Sequence, residues 1–368
     1  MSPTTVATRR PVITAWSAVS PFGVGRAAFN AGMAERRSTA APLDPELGPM
    51  PHETACLVPG FDVRAQLGKK GTRSMDRVTG LTVTAVGQLL DEAERNRRVG
   101  TGEEAAFVLG TTTGSAQSMM DFTRESLTGD KPFFVDPARF PNTVMNCAAG
   151  QSAIWYQLKG PNTTVAGGRS AGLHALNYAR RLLSTGRARA VLCGSAEEFT
   201  PARAWLEHRS AERETAGAAL GEGGAVLLVE PAGGEDQPVL AEVLAVELGV
   251  ELDGDTRGAL ARTLRRALQR AEVTPDEVSA VACSGAPGAA GEAELDAVNE
   301  ALGGSGADSA RITHLPAELI GDTGAAATTL GIATLLSEAE RAPSGDRIGL
   351  ITSVDRAGSV GCAVLRLR

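Results

Sequence analysis

At 368 residues the chain is long enough for two or three small domains or one large one, and 43% hydrophobic with 21% charged residues is the composition of a folded protein, not a disordered or collagen-like one. Lysine and arginine number 36 against 43 aspartate and glutamate, a net charge of −7, so neither a nucleic-acid backbone nor an anionic membrane meets an electrostatic footprint here. No apolar stretch approaches the roughly 18 residues that span a bilayer, and Met1 to Arg10 lacks the apolar centre of a signal peptide, which points to the cytoplasm.

In chain order, short β-branched runs alternate with helical patterns, the signature of βαβ units and a largely parallel sheet. Strands are predicted at Pro11–Ala15, Ala106–Gly110, Thr163–Ala166, Ala190–Gly194 and Ala225–Glu230. The run Leu43–Leu67 has mixed polarity and several prolines and reads as a loop, and Met119–Leu127 reads as a helix. Pro231–Pro238 is a polar, Gly/Pro-rich connector. Beyond it the pattern resumes, with strands at Val239–Leu248, Val278–Cys283, Ile348–Ser353 and Gly361–Leu367 and helices near Arg257–Ala271, Ala290–Leu302 and Gly324–Glu340. Two similar α/β halves, about 11–230 and 239–368, suggest an internal duplication; one irregular doubly wound sheet is the alternative.

Cys56, Cys147, Cys193, Cys283 and Cys362 are odd in number and scattered, without a Cys-x-x-Cys pair, and only His52 and Cys56 fall at a spacing that hints at metal ligands. Reduced, mostly buried thiols are expected, and neither a metal nor a cofactor is implied. His52, His174, His208 and His314 have no nucleophile beside them in the sequence. The Gly-rich run Gly221–Gly224 precedes a strand and lacks a lysine, so it reads as a turn and not as a phosphate loop.

Several motifs occur in an order with a wider meaning. Ile13–Gly23, Met75-Asp-Arg77 before a helix, Phe140–Asn146 ahead of Gly160-Pro161, Thr164–Leu176, Leu192–Glu197 and Gly221–Glu230 together resemble the β-ketoacyl synthase family over almost the whole chain. The resemblance implies a thiolase-like fold, two βαβ-rich halves in a five-layered α/β/α/β/α sandwich forming one ketosynthase-like unit. It also implies dimerisation through the strand that leads into the active-site turn, here Asn162, Thr163, Thr164, Val165, Ala166 and Gly167.

Such enzymes condense acyl chains with a thiolate at a helix N-terminus, where the dipole lowers the cysteine pKa and backbone N–H groups receive the oxyanion, and with two histidines that assist decarboxylation. At the cysteine position this chain has Arg169, whose guanidinium stays protonated and offers no lone pair. Ser284 falls where the first histidine belongs and Asp322 where the second does, so no catalytic residue is expected. Arg356 takes the place of the gating phenylalanine, and the link from Glu197 to Gly221 lacks segments usual in the family. A buried Arg169 needs a carboxylate, for which Asp322 is the candidate partner; the alternative is a shifted loop with Arg169 pointing into solvent.

Loss of catalysis with retention of the fold resembles the chain-length factor of type II polyketide synthases, in most of which that position is glutamine and not arginine. The resemblance implies a heterodimer with a catalytic ketosynthase whose acyl tunnel this chain shapes, with the acyl carrier protein and its polyketide bound mainly by the partner. Ser115, Ser118, Met119 and Phe122 lie at i, i+3, i+4 and i+7 and are the candidate tunnel residues, against simple core packing by Met119 and Phe122. Arg180, Arg181, Arg187 and Arg189 are candidates for touching an acidic carrier protein, or a solvated helix end. Two other readings stay open: a thiolase-fold acyltransferase or decarboxylase using Ser170 with Asp322, and a homodimeric scaffold.

Overall fold

A computed structural model of the chain describes residues 10–210, 219–234, 236–303, 311–341 and 345–368. The strands are β1 (Pro11–Ser20), β2 (Ala105–Thr111), β3 (Asn162–Ala166), β4 (Ala190–Glu197) and β5 (Gly223–Pro231), then β6 (Ala241–Val250), β7 (Val278–Ala282), β8 (Ile312–His314), β9 (Arg347–Val354) and β10 (Ser359–Leu367). They lie in the order β8-β7-β9-β10-β6-β1-β5-β4-β2-β3.

The order divides into two copies of one pattern, in which the third, second, fourth, fifth and first strands of each half stand side by side. In both, the second strand runs parallel to its two neighbours and the fifth runs antiparallel to the fourth and the first. The first strand of each half even carries a register shift at the same place, between Ile13 and Ala15 and between Val243 and Ala245. The halves join where β1 pairs with β6, at Val12 with Glu242 and Ile13 with Ala241.

The longer helices are α1 (Arg26–Glu35), α2 (Arg77–Asp91), α3 (Ala116–Thr128), α4 (Cys147–Tyr156), α5 (Ala171–Ser184), α6 (Pro201–Ser210), α7 (Thr256–Ala271), α8 (Ala289–Leu302) and α9 (Ala327–Arg341). Helices α5 and α9 pack on strands of both halves and form the central layer, α2 covers the outer face of the first half, and α7 with α8 covers that of the second. Central helices lack a wet face, so α9 is buried from Ala327 to Ser337 and fills its core side with Leu330, Ile332, Leu335 and Leu336. A close crossing requires small residues: a Cβ on Gly172 would lie 2.3 Å from Thr328 Oγ1.

Several boundaries differ from the sequence reading for local reasons. The first strand continues past Ala15 to Ser20 because its far end pairs with β5 as well as with Gly23–Val24. Helix α3 begins at Ala116 and not Met119, since Ser115 caps it by accepting from the Ser118 N–H at 3.2 Å. The Leu43–Leu67 segment contains a strand at Thr54–Cys56, paired with Ala41–Pro42 and with Leu220–Gly221, and a short helix Val63–Leu67. Gly221–Gly224 is therefore strand on both sides of Glu222, not a turn. Among the described residues no helix is long and apolar enough to cross a membrane.

Candidate functional site

The turn Gly168–Ser170 joins β3 to α5 and presents Arg169 at the start of the central helix. Gly168 has φ +52°, and a Cβ there would strike the Asp355 carboxylate, which accepts from the Arg169 N–H at 2.9 Å. A second turn, between Ala317–Ile320 and α9, presents Asp322. The Arg169 guanidinium meets the Asp322 carboxylate with both terminal nitrogens, Nη2 to Oδ2 at 2.5 Å and Nη1 to Oδ1. The pairing inferred from sequence is present, with Asp322 buried at 6% exposure and Arg169 largely covered at 13%.

Backbone and side chains hold Asp322 on every side. Its N–H donates to Ala219 O and its carbonyl accepts from Gly221 N, both at 2.8 Å, and Oδ1 accepts from Gly324 N at 2.9 Å. The buried Arg203 donates to the carbonyls of Asp322 at 2.9 Å, Gly221 at 2.6 Å and Glu198 at 2.9 Å. Burial opposes ionisation of Asp322, but the charge and hydrogen bonds of Arg169 outweigh it and hold the carboxyl at about 2. Burial works against the Arg169 charge as well, and Asp322 more than restores it.

Ser284 belongs to a different network. Its Oγ donates to Glu294 Oε2 at 2.8 Å and its N–H to Oε1 at 2.9 Å, while Thr352 Oγ1 donates to Oε1 at 2.7 Å. Burial pushes the Glu294 carboxyl up and these donors pull against it. Ser170 Oγ lies 3.0 Å from Ser353 Oγ in a fully enclosed position, whereas Asp322 is taken up by Arg169; the two do not form the nucleophile and base of the acyltransferase reading. Arg356 Nη1 donates to Glu207 Oε2 at 2.8 Å, and both line a small cavity of about 40 Å³ with Thr112, Gly114, Glu197 and Arg203.

None of the cysteines has the environment of a nucleophile. Burial pushes every thiol upward, Cys147 to about 11 with Asp76 adding to the effect, and Cys56, Cys193, Cys283 and Cys362 likewise. His52 and His174 are held below the ordinary range by burial, His208 packs edge-on against Trp205, and His314 is bonded to Glu338.

The four candidate tunnel residues do not share one environment. Ser115 is buried and donates to Glu198 Oε1 at 2.9 Å, with Ser118 Oγ 3.0 Å from its hydroxyl. Met119 is 41% exposed, and Phe122 packs on Phe140 with ring centroids 5.8 Å apart. Strand β3 closes one end of the sheet, pairing only with β2 among the described residues. The segment between β2 and β3 leaves Met119, Met120, Phe133, Phe134, Phe140 and Ile154 exposed.

Sequence reasoning missed Arg203, Asp355 and the buried Glu197, Glu198 and Glu222. Two adjacent carboxylates directly after an apolar strand were the available signal. Glu222 is held by Arg77, whose Nη2 lies 2.5 Å from Oε1, and by the N–H groups of Val58 and Phe199. Burial raises Glu198 to about 8, with Asp76 adding to it. Of the shortened link after Glu197, residues 211–218 lie outside the described residues.

The two-half sheet, the central helices and the turn at Arg169 define a thiolase-like ketosynthase fold. Residues 8–233, more than half of the chain, match the family model described as "Beta-ketoacyl synthase, N-terminal domain", and the chain belongs to the β-ketoacyl synthase family. A solved structure described as "The ishigamide ketosynthase/chain length factor" superposes with TM-score 0.91 at 48% identity, covering 97% of this chain and 99% of that one. A type II polyketide synthase ketosynthase, solved with its acyl-carrier protein, superposes with TM-score 0.80 at 19% identity over 98% of this chain and 100% of that one, a likeness of fold alone. Among curated proteins, a 3-oxoacyl-[acyl-carrier-protein] synthase 2 of Synechocystis sp. is 27% identical over 244 residues, 60% of this chain and 58% of that protein. The match thus spans a little over half the length of that relative.

Proposed function

We propose that the chain is a non-catalytic chain-length factor, a subunit that pairs with a catalytic ketosynthase and shapes its acyl tunnel in type II polyketide biosynthesis. The observation that carries the reading is the buried Arg169–Asp322 pair, which occupies two of the three positions where the family resemblance puts the nucleophile and the histidines. An arginine has no lone pair for attack, and a carboxylate held at about 2 is a poor base near neutral pH. Arg356, tied to Glu207, stands in the proposed place of the gate. The likeness to a protein described as a ketosynthase/chain length factor supports the same reading.

Heterodimerisation through Asn162–Gly167 is supported by the edge of β3, which is unpaired among the described residues. The exposed Met119 and the Phe122–Phe140 pair lie in the segment that precedes this edge and are the side chains best placed to limit the partner's tunnel by bulk. The acyl carrier protein is then bound mainly by the partner, with the cytoplasm as the site of action. The test is incubation of the isolated chain with a radiolabelled acyl thioester. No covalent label on the chain is expected, and a stoichiometric acyl adduct overturns the non-catalytic reading.

A further inference from the structure

The register of the sheet leaves a cleft on the side of the molecule where the C-terminal half of α5 lies. Among the described residues, strands β1 and β6 pair only at Val12–Glu242 and Ile13–Ala241, and β6 then runs on beyond Pro11. The space beside Val243–Leu248 is closed by Asn177–Ser184 of α5 and by Pro11 and Pro231, giving a cleft of about 900 Å³. That volume suits a small organic ligand.

Its lining is unusual for a chain of net charge −7, since Arg10, Arg180, Arg181 and Arg270 all face it with Glu247 as the single carboxylate. Glu247 is already engaged by Arg270 Nη1. Arg10, Arg180 and Arg181 form no ion pair among the described residues. Arg180 is the anomaly: it is half-buried, its Nε is shut off from solvent without an acceptor, and Nη1 reaches only Asn177 Oδ1 at 3.5 Å. Burial works against the Arg180 charge; Glu247 supports it without bonding it and Arg270 opposes it, so the guanidinium keeps an unfilled donor that asks for an anionic ligand. The end of α5 does not use these guanidinium groups, because Ser184 and Thr185 already cap the Arg181 carbonyl.

We propose that this cleft binds a phosphate-bearing amphipathic small molecule, with the phosphate on Arg180 and Arg181 and the apolar part along Leu183, Leu248 and Pro231. Arginine forks match phosphate oxygens bidentately, and the partly exposed Leu183, Leu248 and Pro231 supply the apolar surface. The proposal stands apart from the chain-length-factor reading, since the cleft lies at the opposite end of α5 from Arg169.

The test is calorimetric titration of the full chain, alone and with its co-purified partner, using hexyl phosphate, inorganic phosphate and hexanol as probes. Hexyl phosphate is expected to bind saturably, inorganic phosphate at least roughly tenfold more weakly, and hexanol not at all. Arg180→Met and, separately, the exposed Arg181→Gln each weaken hexyl phosphate by roughly tenfold or more, and Arg181→Gln decides the matter if Arg180→Met does not fold. Absence of saturable binding, equal binding of inorganic phosphate, or indifference to Arg181→Gln overturns the proposal.

Discussion

Arg169 and Asp322, 153 residues apart in the chain, meet in a bidentate ion pair that ties the turn before α5 in the first half to the turn before α9 in the second. Both ions are out of water, so each is tolerable only because the other is present. Asp322→Ala leaves an uncompensated guanidinium and is expected to cost about 3–5 kcal/mol in urea unfolding. Replacing both, with Arg169→Met and Asp322→Leu, restores most of that loss; a double variant as unstable as the single one contradicts the pairing.

The same pair sets an acid limit. Asp322 is held at about 2 in the fold, below its unfolded value, so its stabilisation is complete above the unfolded pKa near 4 and is lost as pH falls through the folded one. Between pH 5 and pH 2 it accounts for about 2 kcal/mol, and that loss is absent from an Asp322→Asn variant followed by the same urea titrations.

Glu198 has the opposite sign. Its carboxyl is raised to about 8 by burial, with Asp76 beside it, so the folded state binds its proton more tightly than the unfolded chain does. That contribution is fully present below the unfolded value near 4.5 and is lost as pH rises through 8. Glu198→Gln is expected to remove on the order of 3 kcal/mol of the stability difference between pH 5 and pH 9. An unchanged pH profile refutes the assignment.

If Met119 and Phe122 limit the partner's tunnel, Met119→Trp shortens the product and Phe122→Ala lengthens it, read by mass spectrometry of the released chains. Ser115→Phe is a poorer probe than its helical phase suggests, because Ser115 caps α3 and bonds to Glu198, so its loss costs stability first. Product profiles unchanged in both variants place the length-setting residues elsewhere.

What was legible in the sequence was whatever depends on local pattern. Strands such as Ala190–Glu197 and Gly223–Pro231 are buried almost throughout and built on apolar runs, and the motif order carried the family, the duplicated fold and the Arg169–Asp322 pairing. Caps such as Ser115 moved a helix start by three residues, which periodicity alone does not register. The internal charge network was hidden for a different reason. Arg203 reaches three carbonyls and Glu222 is held from Val58, Arg77 and Phe199, contacts created by the tertiary fold and not by spacing. The small sheet at Ala41–Pro42, Thr54–Cys56 and Leu220–Gly221 escaped likewise, its strands being only two or three residues long.

The central claim is that this chain works only as half of a pair, and subunit stoichiometry tests it most directly. This chain alone is tagged, co-expressed with the ketosynthase encoded nearest to it, and the eluted complex is weighed by native mass spectrometry. A one-to-one complex is expected, with condensation activity that requires both chains and is abolished by substituting the partner's cysteine. Elution as a homodimer or monomer, or condensation activity that survives loss of that cysteine, contradicts it.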